Sequence, residues 1–288
     1  MAPPILVTGG TGTLGRHLLP RLRDAGCAVR VLSRRDHPQK GRTEDGRTKD
    51  GRTEEGYEGG GAGAGDVAYV RGDLATGENV EAAVRGAPVV LHCASATKGD
   101  AEATRTLVEA ASAQSPAPHV VYVSIVGVED LSFGYFASKL AAERVVTDSG
   151  LPWTILRATQ FYDLILKGAR SAARLPLVPV PSGFLVQPVH PDEVAARLVE
   201  LALAEPAGRV PDLAGPEVAE AADLVRAYLR ARGRRGRVVP VRMPGLGRIR
   251  GGALLSKEGT GPGTAAEAHG RRTWEEFLTE RVREAPPR

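Results

Sequence analysis

Residues 4–26 of this 288-residue chain read PILVTGGTGTLGRHLLPRLRDAG and contain the clearest indication of its fold. The stretch begins as a short apolar run, turns through closely spaced glycines and continues as an amphipathic helical pattern. A strand, a glycine-rich turn and a helix in that order are typical of the first unit of a parallel α/β sheet. The stretch therefore predicts that strands and helices alternate in the residues that follow.

The first 160 residues show that alternation. We predict strands at residues 5–8, 28–33, 67–70, 89–92, 120–124 and 154–157. We predict helices between them, at residues 14–25, 78–85, 99–114 and 135–149. Crossovers between parallel strands are nearly always right-handed. The order therefore predicts an α/β fold of the Rossmann type, in which helices cover both faces of a doubly wound parallel sheet.

The C-terminal part of the chain is less regular. We predict two short strands and two helices there, at residues 175–181, 184–189, 192–204 and 219–231. Asp192 is the predicted N-cap of the first of these helices, and TWEEFLTERV predicts a closing helix capped by Thr273. We expect roughly residues 160–288 to form a small C-terminal substrate lobe within a single domain of residues 1–288.

Residues 41–65 interrupt the alternation. They contain three copies of a five-residue unit, GRTED, GRTKD and GRTEE, followed by GYEGGGAGAG. This segment has almost no apolar side chains to bury, so we predict a disordered surface insertion. A charged binding arm is the alternative, although its basic and acidic side chains largely cancel.

Composition and charge restrict the possible partners. The 38 basic and 34 acidic side chains leave a net charge of only +4, and the arginines between Arg226 and Arg250 lie mostly on a predicted helix surface and in loops without a recognisable reading helix, which argues against nucleic acid. The six histidines and two cysteines show no metal-ligand spacing, so we predict no metal. Without a secretory pattern or a long apolar run, the chain is expected in the cytoplasm with no membrane partner. We expect a small-molecule substrate and a monomer or homodimer.

The glycine-rich turn carries the first functional hypothesis. Gly10, Gly12 and Gly15 fit the pattern G-x-G-x-x-G between a strand and a helix. Glycines at these positions allow a tight turn, close approach of the backbone to a pyrophosphate and close helix packing. The amides at the helix N-terminus also attract negative charge, so the turn predicts a dinucleotide site. A purely structural glycine turn is the alternative.

The end of the second strand bears on which dinucleotide binds. It reads VLSRR, and Ser33, Arg34 and Arg35 offer a hydroxyl and two guanidinium groups. Arginine binds phosphate with two hydrogen bonds, which favours NADP(H) and its 2′-phosphate, with NAD(H) possible. Asp36 comes too late in the sequence to take the usual acidic position. Exposed strand-end arginines without a ligand are the alternative.

Thr8, Gly9, Gly12 and Gly15 also fit T-G-x-x-G-x-x-G, and here the sequence resembles the short-chain dehydrogenase/reductase superfamily. The stretches VYVSIVGVE, GLPWTILRATQF, QPVHPDEVA, DLAGPE and RTWEEFL are similar to its atypical NmrA-like, NAD(P)-binding branch. The resemblance implies a Rossmann core with a small substrate lobe. Together with the glycine turn, it implies coenzyme contacts at Thr8, Gly9, Gly10, Thr11, Gly12, Thr13, Leu14, Gly15, Asp73, Leu74, Cys93, Ala94 and Ser95.

Tyr135 and Lys139 form the motif Y-x-x-x-K on one face of a predicted helix, and Ser124 ends the strand before it. They resemble the Ser, Tyr and Lys set of that superfamily. A tyrosine with an ordinary pKa of ~10 needs a neighbouring ammonium group to exchange a proton near neutral pH. The resemblance implies that Tyr135 transfers the proton, that Lys139 supplies the charge and holds the nicotinamide ribose, and that Ser124 orients the substrate oxygen.

The sequence departs from the superfamily pattern in two places. The asparagine used there for a proton relay has no counterpart, since Asp100 stands at the expected position, and HCASA replaces the usual N-N-A-G turn. Two hypotheses therefore stay open. The first is an NADP(H)-dependent oxidoreductase of a small carbonyl, quinone or alcohol. The alternative is a non-catalytic, NmrA-like dinucleotide-sensing regulatory protein, in which Tyr135 has a structural or ribose-binding role.

Candidate substrate-pocket residues follow the sixth predicted strand. Gln160, Phe161 and Tyr162 come at its carboxyl end, where open α/β sheets bind ligands, and His190 precedes a predicted helix. Simple packing is the alternative for the first three. A buried histidine satisfied by neighbouring groups is the alternative for His190.

Overall fold

The computed structural model describes residues 3–36, 67–95, 99–234, 236–242, 247–257 and 270–283. The insertion that we predict at residues 41–65 lies outside the described residues. The strands are β1 (Ile5–Thr8), β2 (Val29–Ser33), β3 (Val67–Arg71), β4 (Val89–His92), β5 (His119–Ile125), β6 (Trp153–Ala158), β7 (Leu177–Pro181), β8 (Leu185–Val186), β9 (Gly208–Arg209), β10 (Ala219–Glu220) and β11 (Arg237–Val241). The helices are α1 (Thr13–Asp24), α2 (Val80–Val84), α3 (Asp100–Ser112), α4 (Gly134–Thr147), α5 (Tyr162–Ala172), α6 (Pro191–Leu203), α7 (Ala221–Ala231), α8 (Gly247–Arg250) and α9 (Trp274–Arg283).

A seven-stranded sheet runs in the order β3-β2-β1-β4-β5-β6-β9. The pairings of β1 with β2 and β4, of β2 with β3, and of β4 with β5 are parallel. The order reverses next to β1, as it does in a doubly wound sheet, so the predicted Rossmann-type α/β fold is confirmed. Thr8 pairs with His92, which brings the carboxyl ends of β1 and β4 side by side.

The elements around β1 form for reasons that the sequence shows. All four residues of β1 are apolar or β-branched and buried, as a central parallel strand requires. In α1 the buried residues Leu14, Leu18 and Leu22 recur at helical spacing and form one face. The strands predicted at residues 5–8 and 89–92 match β1 and β4 residue for residue.

Several C-terminal predictions need correction. The predicted N-cap Asp192 is wrong, because α6 already begins at Pro191 and the Asp192 amide donates to Nδ1 of His190 at 3.1 Å. Proline suits the first helical position because that position has no helical partner for an amide hydrogen. The strand predicted at 184–189 is only Leu185–Val186. The helix predicted from residue 219 starts at Ala221, since the two residues before it form β10.

The cap predicted at Thr273 is confirmed. The Glu276 amide donates to Oγ1 of Thr273 at 3.3 Å, and the Thr273 amide donates to Oε2 of Glu276 at 2.8 Å. This reciprocal pair is a capping box, which satisfies two amides that would otherwise have no partner at the start of α9.

The chain divides into two compact units. The first comprises Met1–Tyr122, Ala141–Thr154 and Leu198–Pro206, and it contains the glycine loop. The second comprises Val123–Leu140, Ile155–Arg197 and Ala207–Arg288. It contains Ser124, Tyr135 and Lys139 together with the pocket candidates, and its apolar core includes residues of α5, α7 and α9.

Candidate functional site

The glycine loop between β1 and α1 fits closely against the turn that follows β4. Gly9 has φ of +73°, a left-handed conformation that side chains disfavour. A Cβ added to Gly9 would lie 2.6 Å from the Ala94 amide nitrogen and 2.7 Å from the Cys93 carbonyl oxygen. Only glycine therefore lets the loop and the β4 turn approach this closely.

Two further glycines close the inner side of the loop. A Cβ on Gly15 would lie 2.3 Å from the Gly10 carbonyl oxygen, and one on Gly10 would lie 2.8 Å from a methyl group of Val31. Gly12 is different, because a Cβ there would meet only the Gly9 carbonyl oxygen, at 3.2 Å. The loop is thus closely packed at Gly10 and Gly15 and open at Gly12.

This open side fits the pyrophosphate of a dinucleotide. Gly12 is the N-cap of α1 and has no side chain to cap the helix amides. A phosphate could accept hydrogen bonds from these amides. The first turn of α1 also carries no acidic residue that would repel a phosphate. The residues from Gly9 to Gly15 could therefore hold the coenzyme through backbone amides.

Thr8, by contrast, is buried and its hydroxyl group is engaged within the protein. Its Oγ1 lies 2.7 Å from Nδ1 of His92, and the Ala94 amide donates to it at 3.3 Å. The Cys93 amide donates to the Thr8 carbonyl oxygen at 3.1 Å. The Thr8 side chain therefore links the end of β1 to the β4 turn, where Cys93 and Ala94 are half-buried and Ser95 is exposed.

The end of β2 leaves two arginines available. Arg34 and Arg35 are exposed and form no ion pair with any described residue, whereas Asp36 pairs with Arg71 at 3.2 Å. Ser33 is buried, and its Oγ accepts a hydrogen bond from the Arg35 amide at 3.2 Å. Asp36, the acidic residue nearest to Arg34 and Arg35 in sequence, is thus paired with Arg71.

Two of the residues predicted to contact the coenzyme, Asp73 and Leu74, follow β3. Asp73 is half-buried, and its Oδ1 accepts a hydrogen bond from the Ala75 amide at 2.9 Å. Leu74 beside it is buried, with 8% of its surface exposed. One oxygen of the Asp73 carboxylate thus stabilises the turn that contains Asp73 and Ala75.

In the second unit, Ser124, Lys139 and Tyr135 belong to neighbouring segments. Ser124 lies near the carboxyl end of β5 and is 1% exposed, and its Oγ has no hydrogen-bond partner among the described residues. Lys139 on α4 is also buried, and its Nζ donates to the carbonyl oxygen of Val123 at 3.0 Å. Tyr135 is half-buried one helical turn before Lys139. The ammonium group of Lys139 is thus bonded to Val123, the residue directly before Ser124.

The turn between Ser124 and α4 is held by contacts that sequence reasoning did not find. Arg157 on β6 is buried and donates to Oε1 of Glu129 at 2.8 Å. That hydrogen bond and the charge of Arg157 lower the pKa of the Glu129 carboxyl group. Gly127, with φ of +86°, lies so close to the Ala253 carbonyl that an added Cβ would come within 2.2 Å of its oxygen. The unpredicted segment at residues 247–257 therefore supports this turn.

One of the pocket candidates, Gln160, is bonded to that segment. Both ends of the Gln160 amide are bonded, since its Nε2 donates to the Leu254 carbonyl at 3.1 Å and its Oε1 accepts from the Gln187 amide at 3.3 Å. Phe161 is half-buried, is the N-cap of α5 and pairs with Val189 in a parallel bridge. The side chain of Gln160 is therefore occupied by bonds within the protein.

Tyr162 and His190 lie in an aromatic cluster with α9. Tyr162 is 2% exposed and stacks on Phe277 with ring centroids 5.2 Å apart, and its hydroxyl donates to the Arg272 carbonyl at 2.8 Å. Burial raises the pKa of Tyr162, which keeps the phenol neutral. His190 is also buried, and its Nε2 lies 3.2 Å from Nη1 of Arg272. Packing and internal hydrogen bonds thus account for both side chains.

Two absences hold for the described part of the chain. No group of three or more His, Cys, Asp or Glu side chains there is arranged to hold a metal ion. None of the helices within those ranges combines the length and apolar character needed to cross a membrane.

The sheet order and the loop geometry define a Rossmann-type dinucleotide-binding protein. A family model described as NAD(P)H-binding matches residues 60–204. The chain belongs to this NAD(P)H-binding family. The matched range starts after the glycine loop, so the loop supports the same conclusion independently.

Two characterised reductases are similar to the chain. The (4-alkanoyl-5-oxo-2,5-dihydrofuran-3-yl)methyl phosphate reductase of Streptomyces griseus is 31% identical over 247 residues, which cover 84% of this chain and 77% of that protein. A ceramide reductase of Caulobacter vibrioides is 28% identical over 274 residues, which cover 87% of this chain and 77% of that protein.

A solved structure shows the same fold. An NADPH-dependent quinone oxidoreductase from Escherichia coli, complexed with NADPH, superposes with a TM-score of 0.72 at 17% sequence identity. The superposition covers 96% of this chain and 99% of that one. At this identity the likeness concerns the fold alone.

Proposed function

We propose that the chain is an NADP(H)-dependent oxidoreductase of the short-chain dehydrogenase/reductase type that acts on a carbonyl, quinone or alcohol of a small molecule. Its membership of the NAD(P)H-binding family and its two reductase relatives support the reaction class. The observation that carries the proposal is the buried hydroxyl group of Ser124, which has no protein partner among the described residues and adjoins the anchor point of Lys139.

An unpartnered buried hydroxyl costs free energy, about 1–3 kcal/mol, unless a ligand supplies the missing hydrogen bond. A substrate carbonyl oxygen is a ligand of that kind, since it can accept a hydrogen bond from Ser124. Asp163 and Glu193 also carry an unpartnered buried oxygen, but in each carboxylate the other oxygen is bonded within the protein. Ser124 has no second polar atom, so its whole hydrogen-bonding capacity is available to a ligand.

The proposed chemistry assigns one role to each of three side chains. When bound, NADPH supplies the hydride that reduces the carbonyl carbon. Ser124 orients the carbonyl oxygen, and Tyr135 donates its phenolic proton to that oxygen. The ammonium group of Lys139 favours the phenolate that Tyr135 becomes, because an opposite charge nearby stabilises the ionised form.

The coenzyme preference rests on Arg34 and Arg35. Both are exposed without a protein counter-charge among the described residues, and a 2′-phosphate would supply one. Calorimetry should show tighter binding of NADP than of NAD. Arg34→Ala should remove most of the difference, whereas Arg105→Ala, at an exposed arginine on α3, should not. Equal affinities for both coenzymes in the wild type would refute the preference.

The enzymatic proposal is tested by NADPH oxidation with a substrate panel. Because the similar proteins are reductases of an alkanoyl-furanone phosphate and of ceramide, the panel should include an alkanoyl furanone and an acylated long-chain ketone besides quinones and aldehydes. Tyr135→Phe should reduce turnover at least about 100-fold, as for loss of a general acid. Tyr228→Phe, at a buried tyrosine on α7, is the matched control. Turnover that Tyr135→Phe leaves intact would remove Tyr135 from the mechanism.

One observation favours the second candidate, a dinucleotide-sensing protein without turnover. Asp100, which stands where the superfamily has its relay asparagine, is 4% exposed and accepts a hydrogen bond from the Ser95 hydroxyl at 2.8 Å. One oxygen of this carboxylate is thus engaged in holding the β4 turn. Coenzyme binding without NADPH oxidation across the whole panel would favour this candidate.

A further inference from the structure

A buried chain of hydrogen bonds runs from the end of β1 to the start of α3. His92, the last residue of β4, is 1% exposed. Its Nδ1 lies 2.7 Å from Oγ1 of Thr8, and its Nε2 lies 3.0 Å from Oγ1 of Thr104. Thr104 in turn donates its hydroxyl proton to the carbonyl oxygen of Asp100 at 2.6 Å. All these residues belong to the first unit.

The direction of each bond follows from counting protons. Thr104 has one hydroxyl proton, and it goes to Asp100, so Thr104 must accept from His92. In the neutral imidazole, Nε2 of His92 therefore carries the single ring proton, and Nδ1 is an acceptor. The proton shared between Nδ1 and Thr8 must therefore come from the Thr8 hydroxyl group. The Thr8 oxygen then keeps a lone pair that accepts a hydrogen bond from the Ala94 amide at 3.3 Å.

We infer that His92 is a positioning residue for the coenzyme loop. By accepting the Thr8 proton, it fixes the Thr8 oxygen as an acceptor for Ala94. That bond holds the β4 turn against Gly9, where an added Cβ would lie 2.6 Å from the same Ala94 nitrogen. The carbonyl oxygen of Gly9 in turn accepts a hydrogen bond from the Gly12 amide at 2.9 Å. This bond sets the backbone conformation at the open side of the loop.

This inference rests on the proposed coenzyme site and adds to it a buried residue outside the predicted coenzyme contacts. The ring is also positioned by packing, since it stacks on Tyr122 with centroids 5.2 Å apart. Its two nitrogens have separable effects. Nδ1 acts toward the loop through Thr8, and Nε2 acts toward α3 through Thr104.

Two substitutions separate these effects. His92→Asn keeps an acceptor near the position of Nδ1 and loses the donor to Thr104, whereas His92→Gln keeps a donor near the position of Nε2 and loses the acceptor for Thr8. Each removes one buried hydrogen bond, so both should lower the urea midpoint to a similar extent. Calorimetry with NADPH and NADH should show His92→Asn within about threefold of wild-type affinity. It should show about tenfold weaker binding for His92→Gln, the scale of one hydrogen bond.

The outcomes distinguish the two proposals. Equal weakening in both variants would make His92 merely structural and overturn the inference, as would unchanged affinity in His92→Gln. If wild-type protein binds neither coenzyme, the proposed function fails and the inference fails with it. Should His92→Gln not fold, His92→Leu, which has no ring nitrogen, takes its place. It should bind coenzyme about tenfold more weakly than His92→Asn, and equal affinities of the two variants would overturn the inference.

Discussion

The glycine loop and the segment from Ser124 to Lys139 are built by opposite means. The loop is defined by missing side chains, since methyl groups at Gly9 or Gly15 would collide with backbone atoms. The second segment is defined by buried polar side chains, of which Lys139 is bonded to the backbone and Ser124 has a hydroxyl group with no hydrogen-bond partner in the described ranges. The loop is thus fixed by shape without any ligand, whereas the hydroxyl group of Ser124 has no hydrogen bond to any described residue.

The largest effect is expected where the loop is most tightly packed. Gly15→Ala would place a Cβ 2.3 Å from the Gly10 carbonyl oxygen, which neither backbone can avoid without moving. We expect a loss of about 3 kcal/mol in the free energy of unfolding, the upper range for overpacking, together with loss of coenzyme binding. Urea denaturation and calorimetry measure the two effects.

Gly12→Ala is the matched control for that prediction. Its added Cβ meets only the Gly9 carbonyl oxygen at 3.2 Å, and its φ of −80° suits any residue. Stability should change by less than about 1 kcal/mol, while coenzyme affinity falls at least about tenfold because the methyl group occupies the open side. Similar stability losses in both variants would contradict the contrast between the closed and open sides of the loop.

Ser124→Ala tests the opposite property of the second segment. Because no hydrogen bond to a described residue is lost, the free energy of unfolding should stay constant or rise by about 1 kcal/mol. Turnover should fall about 100-fold, as for one donor to the reacting oxygen. Ser149→Ala is the control, since that hydroxyl donates to the Val146 carbonyl at 2.6 Å. The control should lose stability and keep its turnover, and a stability loss in Ser124→Ala would mean that its hydroxyl is bonded within the protein.

Gly127→Ala tests whether shape also fixes the turn after Ser124. The residue has φ of +86°, and a Cβ would lie 2.2 Å from the Ala253 carbonyl oxygen. We expect a loss of about 2 kcal/mol in stability, and a lower turnover if the turn positions Ser124. Gly134→Ala shares the positive φ but meets nothing within 4 Å, so it should lose only about 1 kcal/mol. Equal losses would show that the contact with Ala253 contributes nothing.

The smallest effect concerns pH and the first unit. His119, at the start of β5, is 7% exposed, and its Nε2 lies 2.8 Å from Oγ1 of Thr154. Burial lowers the pKa of His119 below its ordinary value, an effect only partly opposed by Glu205. The unfolded chain therefore binds a proton first, and stability falls as the pH drops below about 6.5. Urea midpoints at pH 7.5 and 5.5 should show this decrease, and it should be smaller in His119→Gln.

The comparison also explains what the sequence could predict. Glycine spacing and apolar runs report directly on backbone shape and burial, so the sheet, β1, β4 and the loop were predictable. Hydrogen-bond partners far apart in the chain were not. The links of Thr8 to His92, 84 residues apart, and of Gln160 to Leu254, 94 residues apart, depend on how the chain folds back. Local rules also misled at Asp192, where His190 provides the cap.

The aromatic cluster around Tyr162 gives the protein its own optical probe. Trp274 is 2% exposed, donates from its indole nitrogen to the Leu224 carbonyl at 3.1 Å and lies on α9, whereas the only other tryptophan, Trp153, begins β6. In a Trp153→Phe background, intrinsic fluorescence would come from α9 alone. A red shift of that emission during titration with urea or with substrate would report the release of α9 in real time, without an attached dye.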